Sequence, residues 1–179
     1  MPAPSGPLVI LGHGASGTAA SMRPHVTGLE KRGVAARAID LPKGRAERAM
    51  PVFAAAVDEA GGGDRTVIGG HSFGGRVASM LAAEREVLGL VLLSYPLHRP
   101  GHPEDLRVEH WPRIACPVLL LSGESDPFAR AELLRENLPL LRDATLHTYP
   151  GVQHGLGPVL DDALDRVAEF VRSLARSPG

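Results

Sequence analysis

The fold is decided by Arg65-Thr66-Val67-Ile68-Gly69-Gly70-His71-Ser72-Phe73-Gly74-Gly75-Arg76-Val77-Ala78-Ser79-Met80-Leu81-Ala82-Ala83-Glu84. Thr66, Val67 and Ile68 form a short β-branched run suited to a buried strand. Val77, Met80, Leu81 and Glu84 then fall into helical spacing. Between them, Gly70 to Gly74 spell G-x-S-x-G at a strand-to-helix turn, the pattern of a nucleophile elbow. So tight a turn forces its central residue to positive φ and leaves almost no room for side chains two positions away. Gly70 and Gly74 meet that demand, and Gly75 leaves further room for helix–strand contact. Ser72 would stand at a helix N-terminus, where the dipole and free N–H groups favour developing negative charge. The plain alternative is a glycine-rich turn with an incidental serine; the strand before it and the helix after it favour a nucleophile.

Outward from this stretch, the chain of 179 residues is expected to form one domain over residues 1–179. It is 44% hydrophobic and 22% charged, an ordinary globular balance. A formal net charge of −1, basic residues without a block, and 4% aromatics give no reason to expect a nucleic-acid or anionic-membrane partner. One cysteine, Cys116, excludes an internal disulfide framework and a multi-cysteine metal site; at the start of an apolar run it reads as a buried structural thiol. No apolar stretch reaches the ~18 residues of a membrane span, and no signal peptide is evident, so a cytoplasmic location is the default expectation. Nothing in the sequence distinguishes monomer from dimer.

Leu8 to Leu11 reads as a first buried strand, Val34 to Asp40 as the second, Leu88 to Ser94 as the fourth, Pro117 to Ser122 as the fifth and Thr145 to Tyr149 as the sixth. Helices are expected over about residues 19–32, 46–60, 129–138 and 158–175, in addition to the one after Ser72. Pro/Gly/Ser-rich residues 1–6 read as a frayed terminus. Alternation of strand and helix implies right-handed βαβ units and a mostly parallel sheet of about six strands covered on both faces, a three-layer α/β sandwich. Residues 95–115 form an unusually long aperiodic connection with four prolines, expected to be functional or disordered.

A serine hydroxyl needs a base, and the base an orienting acid. In open α/β sheets such groups gather beyond the carboxyl ends of the strands, here in the order Ser…Asp…His. Asp126 lies four residues past the fifth strand, with Glu124 as its nearest competitor. His154 lies on a glycine-flanked loop after the sixth strand. Of the other histidines, His147 lies within a strand, and His13, His25, His71, His98, His102 and His110 all precede Asp126. The catalytic candidates are therefore Ser72, Asp126 and His154. An oxyanion hole would use the Phe73 N–H and the Ala15 N–H, with Gly14 allowing close approach.

Two other patterns in the sequence compete with this reading. Gly12-His13-Gly14-Ala15-Ser16-Gly17 matches the dinucleotide-binding G-x-G-x-x-G, with Asp40 ending the next strand. The chain is short for a nucleotide domain plus a catalytic domain, Asp40 lies further along than the usual ~20 residues, and this reading leaves Ser72, Asp126 and His154 unexplained. His98, His102, Glu104, Asp105, Glu109 and His110 could suggest a metal cluster, but lack H-E-x-x-H spacing and are interrupted by proline. No cofactor and no metal are expected.

The chain resembles the α/β-hydrolase superfamily along nearly its whole length, and more narrowly its small capless branch related to dienelactone hydrolases. The resemblance rests on H-G-A-x-G at His13 to Gly17, G-H-S-x-G-G-R at Gly70 to Arg76, S-Y-P-L-H at Ser94 to His98 and L-S-G-x-x-D-P-F at Leu121 to Phe128. It implies a sheet without the two extra N-terminal strands of larger relatives, and no cap domain where residues 95–115 lie, hence an open site. The function expected is that of a serine hydrolase acting on a small-molecule ester, thioester or similar acyl bond. His13, Tyr95, Leu97 and His98 are expected to line the substrate side. Some relatives with this fold have lost catalysis and serve as interaction modules, which is the alternative expectation.

Overall fold

The computed structural model describes residues 5–176. Of the terminus expected to fray, residues 1–4 lie outside the described residues. Six strands form one sheet: Leu8–Gly12 (β1), Ala36–Ile39 (β2), Thr66–His71 (β3), Gly89–Leu93 (β4), Val118–Gly123 (β5) and Ala144–Tyr149 (β6). Their order is β2-β1-β3-β4-β5-β6, and every neighbouring pair is parallel. The sheet is thus wholly rather than mostly parallel. The central strands are apolar on both faces, so both must be covered.

Helices Arg23–Lys31 (α1) and Leu160–Arg176 (α5) cover one face, packing Leu29, Leu164, Val167 and Val171 against Val9, Val67 and Val91. Ala46–Glu59 (α2), Phe73–Glu84 (α3) and Ala131–Asn137 (α4) cover the other, where Phe53, Val77 and Leu134 meet Ile10, Ile68, Leu90 and Leu120. Alternate residues of one strand thus serve opposite cores, the period-two geometry of a pleated strand. The expected helix over residues 19–32 is divided into a 3-10 turn at Ala19–Met22 and α1, whose second residue is Pro24, where a missing N–H costs nothing.

Residues 95–115 form no cap. They fold inward as a packed strap: Tyr95, Leu97, His98, His110, Trp111 and Ile114 are all buried, with a 3-10 turn at Trp111–Arg113. Large apolar side chains at irregular spacing order this segment, which periodicity alone cannot reveal. Cys116 is half-buried rather than buried, and the burial of its thiol pushes its pKa up to about 11. Among the described residues, no helix is long and apolar enough to cross a membrane.

β1 leads to β2 on one side while β3 lies on its other side, so the chain direction switches between β1 and β3. Gly12 and Gly70 stand opposite each other at the carboxyl ends of these two strands. Loops leaving this switch point in opposite directions open a crevice, the usual location of a site in such sheets.

Candidate active site

Ser72 sits in that crevice between β3 and α3, at φ 48° and ψ −112°. An L-residue at positive φ costs roughly 1–3 kcal/mol and persists only where the surroundings hold it. They do so here: the Ser72 N–H donates to the Leu93 carbonyl at 2.9 Å, and its own carbonyl accepts the Arg76 N–H at 3.0 Å in the first turn of α3. A Cβ at Gly70 or Gly74 would collide with the backbone of Gly12, so only glycine permits the elbow to press against β1.

The loops after β5 and β6 bring the other two candidates to Ser72. The Glu124 N–H donates to the Tyr149 carbonyl and the Ser125 N–H to the Val152 carbonyl, each at 2.9 Å, which ties the two loops together. His154 Nε2 then lies 2.8 Å from Ser72 Oγ, and its Nδ1 lies 2.8 Å and 3.0 Å from the two carboxylate oxygens of Asp126. An ionised carboxylate can only accept, so Nδ1 carries the proton and Nε2 is left to accept from the serine hydroxyl. The Asp126 side chain is fully enclosed, and its Oδ1 also accepts the Phe128 N–H at 2.8 Å, which fixes its orientation. The imidazole retains 24% exposure, so the site reaches solvent. Phe128 stacks on it with centroids 4.3 Å apart, and His71 flanks it at 5.3 Å. Burial, and then the charges of His154 and His25, push the His71 pKa down to about 4, so this neighbour is neutral near neutral pH.

Ala15, Ser72 and Phe73 share one cleft of about 420 Å³. Phe73 opens α3, where a backbone N–H has no intrahelical acceptor. Neither its N–H nor that of Ala15 has a partner among the described residues. Two free donors beside the Ser72 hydroxyl form the kind of arrangement that can hold an oxyanion.

Other expectations are corrected by burial. His13 is 1% exposed and does not line the cleft: its Nδ1 donates to the Gly14 carbonyl at 2.7 Å and its Nε2 accepts the Leu41 N–H at 2.9 Å. It therefore holds the loop that carries Ala15. Tyr95, Leu97 and His98 are also 1% exposed or less, and likewise turn inward. The Tyr95 hydroxyl donates to the Arg107 carbonyl at 2.7 Å, and His98 Nε2 accepts the Arg130 N–H at 3.1 Å. The Asp40 carboxylate accepts the Ala19 N–H at 2.8 Å, which ties the loop after β1 to β2 instead of leaving an acid free for a ribose. Glu124 is exposed and bonded to Thr148, away from His154. Of the histidine- and acid-rich stretch, only His102, Glu104 and Asp105 gather, all exposed.

Besides Ala15, Ser72 and Phe73, the cleft is lined by residues that sequence reasoning did not assign to it. Phe73, Pro96 and Phe128 supply apolar wall, and Arg45, Arg76 and Arg107 supply positive charge, with Glu47 at the rim. Arg76 was legible in principle, since it follows Ser72 by four residues and so shares its helix face. Arg107 carried no local signal, because its place depends on the packed strap.

Three solved structures illustrate the likeness of this fold. Est1E from Butyrivibrio proteoclasticus superposes with a TM-score of 0.81 at 22% identity, covering 98% of this chain and 90% of that one. The monoacylglycerol lipase of Paleococcus ferrophilus gives 0.79 at 18% identity, covering 93% and 94%. The esterase Pf2001 of Pyrococcus furiosus gives 0.79 at 19% identity, covering 94% and 81%. At these identities the likeness concerns the fold alone. The sequence itself is matched over residues 5–176 by the family model described as "Alpha/beta hydrolase domain", and with that span of the chain accounted for, it belongs to the α/β-hydrolase family.

Proposed function

We propose that this α/β-hydrolase is a serine hydrolase that cleaves a carboxylic ester, thioester or similar acyl bond. The observation that carries the proposal is the continuous hydrogen-bonded line from Ser72 Oγ through His154 to Asp126, at 2.8 Å on either side of the imidazole. His154 Nε2 takes the hydroxyl proton as Ser72 Oγ attacks the acyl carbon, and Asp126 stabilises the imidazolium that forms. The carbonyl oxygen gains negative charge between the N–H groups of Ala15 and Phe73, each such donor being worth roughly 3–4 kcal/mol in comparable enzymes. Collapse of the tetrahedral intermediate expels the alcohol or thiol, which leaves with the proton from His154. Water, activated by the same imidazole, then cleaves the acyl-enzyme and restores the Ser72 hydroxyl. Neighbouring structures described as an esterase and a monoacylglycerol lipase are in keeping with this chemistry.

Turnover of para-nitrophenyl esters of increasing acyl length tests the proposal. Wild type is expected to hydrolyse at least the shorter members, and Ser72→Ala to lose at least about a thousandfold in kcat. Equal turnover by Ser72→Ala would remove Ser72 as the nucleophile, and no turnover by folded wild type at any length would point instead to a non-catalytic binding module.

A further inference from the structure

Two cations of the cleft lack a carboxylate partner. Arg45 has one, an exposed contact with Glu47 at 4.0 Å. Arg76 and Arg107 form no ion pair among the described residues. The Nε of Arg76 is shielded from solvent and donates to nothing. Arg76 extends from α3 one turn beyond Ser72, so its guanidinium belongs to the wall next to the nucleophile. Arg107 arrives from the strap and is held at three points: its N–H donates to the Leu97 carbonyl at 2.8 Å, its carbonyl accepts from Tyr95, and its Nη1 donates to the Pro96 carbonyl at 3.2 Å. Burial, and after it the charge of Arg76, holds the Arg107 pKa below the usual guanidinium value. Glu109 offsets this in part from outside contact distance.

Holding two like charges together, one with an idle donor, costs free energy that an arriving anion recovers. Arginine presents a planar fork suited to an oxyanion with two or more equivalent oxygens, and charge-assisted pairs of this kind are among the stronger ones. Apolar Phe73, Pro96 and Phe128 line the same cleft and offer a surface against which a hydrocarbon portion can pack.

We propose that Arg76 and Arg107 are specificity-determining residues that bind an oxyanion, carboxylate or phosphate, carried by the acyl substrate. This rests on the hydrolase reading for the term "substrate", while the anion recognition itself is measurable without turnover. The shared chemistry can lie on either side of the scissile bond, and two comparisons separate them. A carboxylate on the acyl side is tested by mono-para-nitrophenyl adipate against para-nitrophenyl hexanoate. A phosphate on the leaving group is tested by an acyl-coenzyme A thioester against the same acyl group on N-acetylcysteamine. In at least one comparison, wild-type kcat/KM is expected to favour the anionic member by about ten- to a hundredfold. That ratio should fall towards unity in Arg76→Gln and Arg107→Gln, shrink with added salt, and survive in part in Arg107→Lys. Neutral substrates turned over as well as anionic ones in both comparisons would overturn the anion site and leave the hydrolase reading intact. If nothing is turned over, calorimetric titration of Ser72→Ala with mono-para-nitrophenyl adipate and with the coenzyme A thioester decides. Saturable binding lost on adding Arg76→Gln upholds the anion site although the hydrolase reading fails, and no binding overturns it.

Discussion

The hydroxyl of Tyr95 donates to the main-chain carbonyl of Arg107 at 2.7 Å, joining the start of the strap to its far limb across twelve residues. This bond closes the loop that carries Arg107 to the cleft.

Tyr95→Phe keeps the ring in its pocket against Trp111 but leaves the Arg107 carbonyl without its donor. Stability should fall by about 1–3 kcal/mol, the cost of an unsatisfied buried acceptor. Urea denaturation of the two proteins measures this directly. An unchanged midpoint would mean that the bond does not hold the strap.

Asp126→Asn tests the orienting role of the carboxylate. Asparagine can keep its carbonyl oxygen on the Phe128 N–H, so the loop and the fold should survive. It no longer holds the imidazole in the required tautomer or stabilises its charge, and kcat should drop by about a thousand- to ten-thousandfold. Steady-state ester hydrolysis together with circular dichroism separates this from unfolding. A loss of less than about tenfold would remove Asp126 from the proposed mechanism.

Two histidines make stability depend on pH. His71 and His110 each have a folded-state pKa near 4 against an ordinary 6.5, with burial the largest cause in both. Between these values the unfolded chain takes up a proton that the folded chain refuses. Stability is therefore fully present above pH 6.5, declines as pH falls towards 4 and levels off below it, by up to about 3 kcal/mol for each histidine. His110→Gln, which can still bond Ser79, should flatten part of this slope in urea titrations at about pH 7 and about pH 5. An equally steep slope in the variant would exclude His110 as a source.

How much was legible in the sequence follows from which constraints are local. Gly70, Gly74 and the strand–helix switch around Ser72 are demands of the backbone on its immediate neighbours, so the elbow can be read from a few letters. The proximity of Asp126 and His154 to Ser72 is readable from sequence because a parallel sheet sends successive strand ends to one edge, whatever the intervening distance. Tyr95, Leu97, His98 and His13 also follow strand ends, yet their side chains turn into the protein. Orientation at a strand end is set by tertiary packing, in this case by the strap and by the Leu41 N–H, and no local pattern encodes it. Arg107 was hidden for the same reason.

If Ser72 is a nucleophile activated by His154, it should react with a fluorophosphonate probe. The probe reacts covalently with an activated serine whatever the natural substrate, so an unidentified substrate does not confound the result. Wild type should be modified once, at Ser72 by peptide mass mapping, and Ser72→Ala should remain unmodified. A folded wild type that does not react, or a Ser72→Ala protein that reacts equally well, would contradict this role of Ser72.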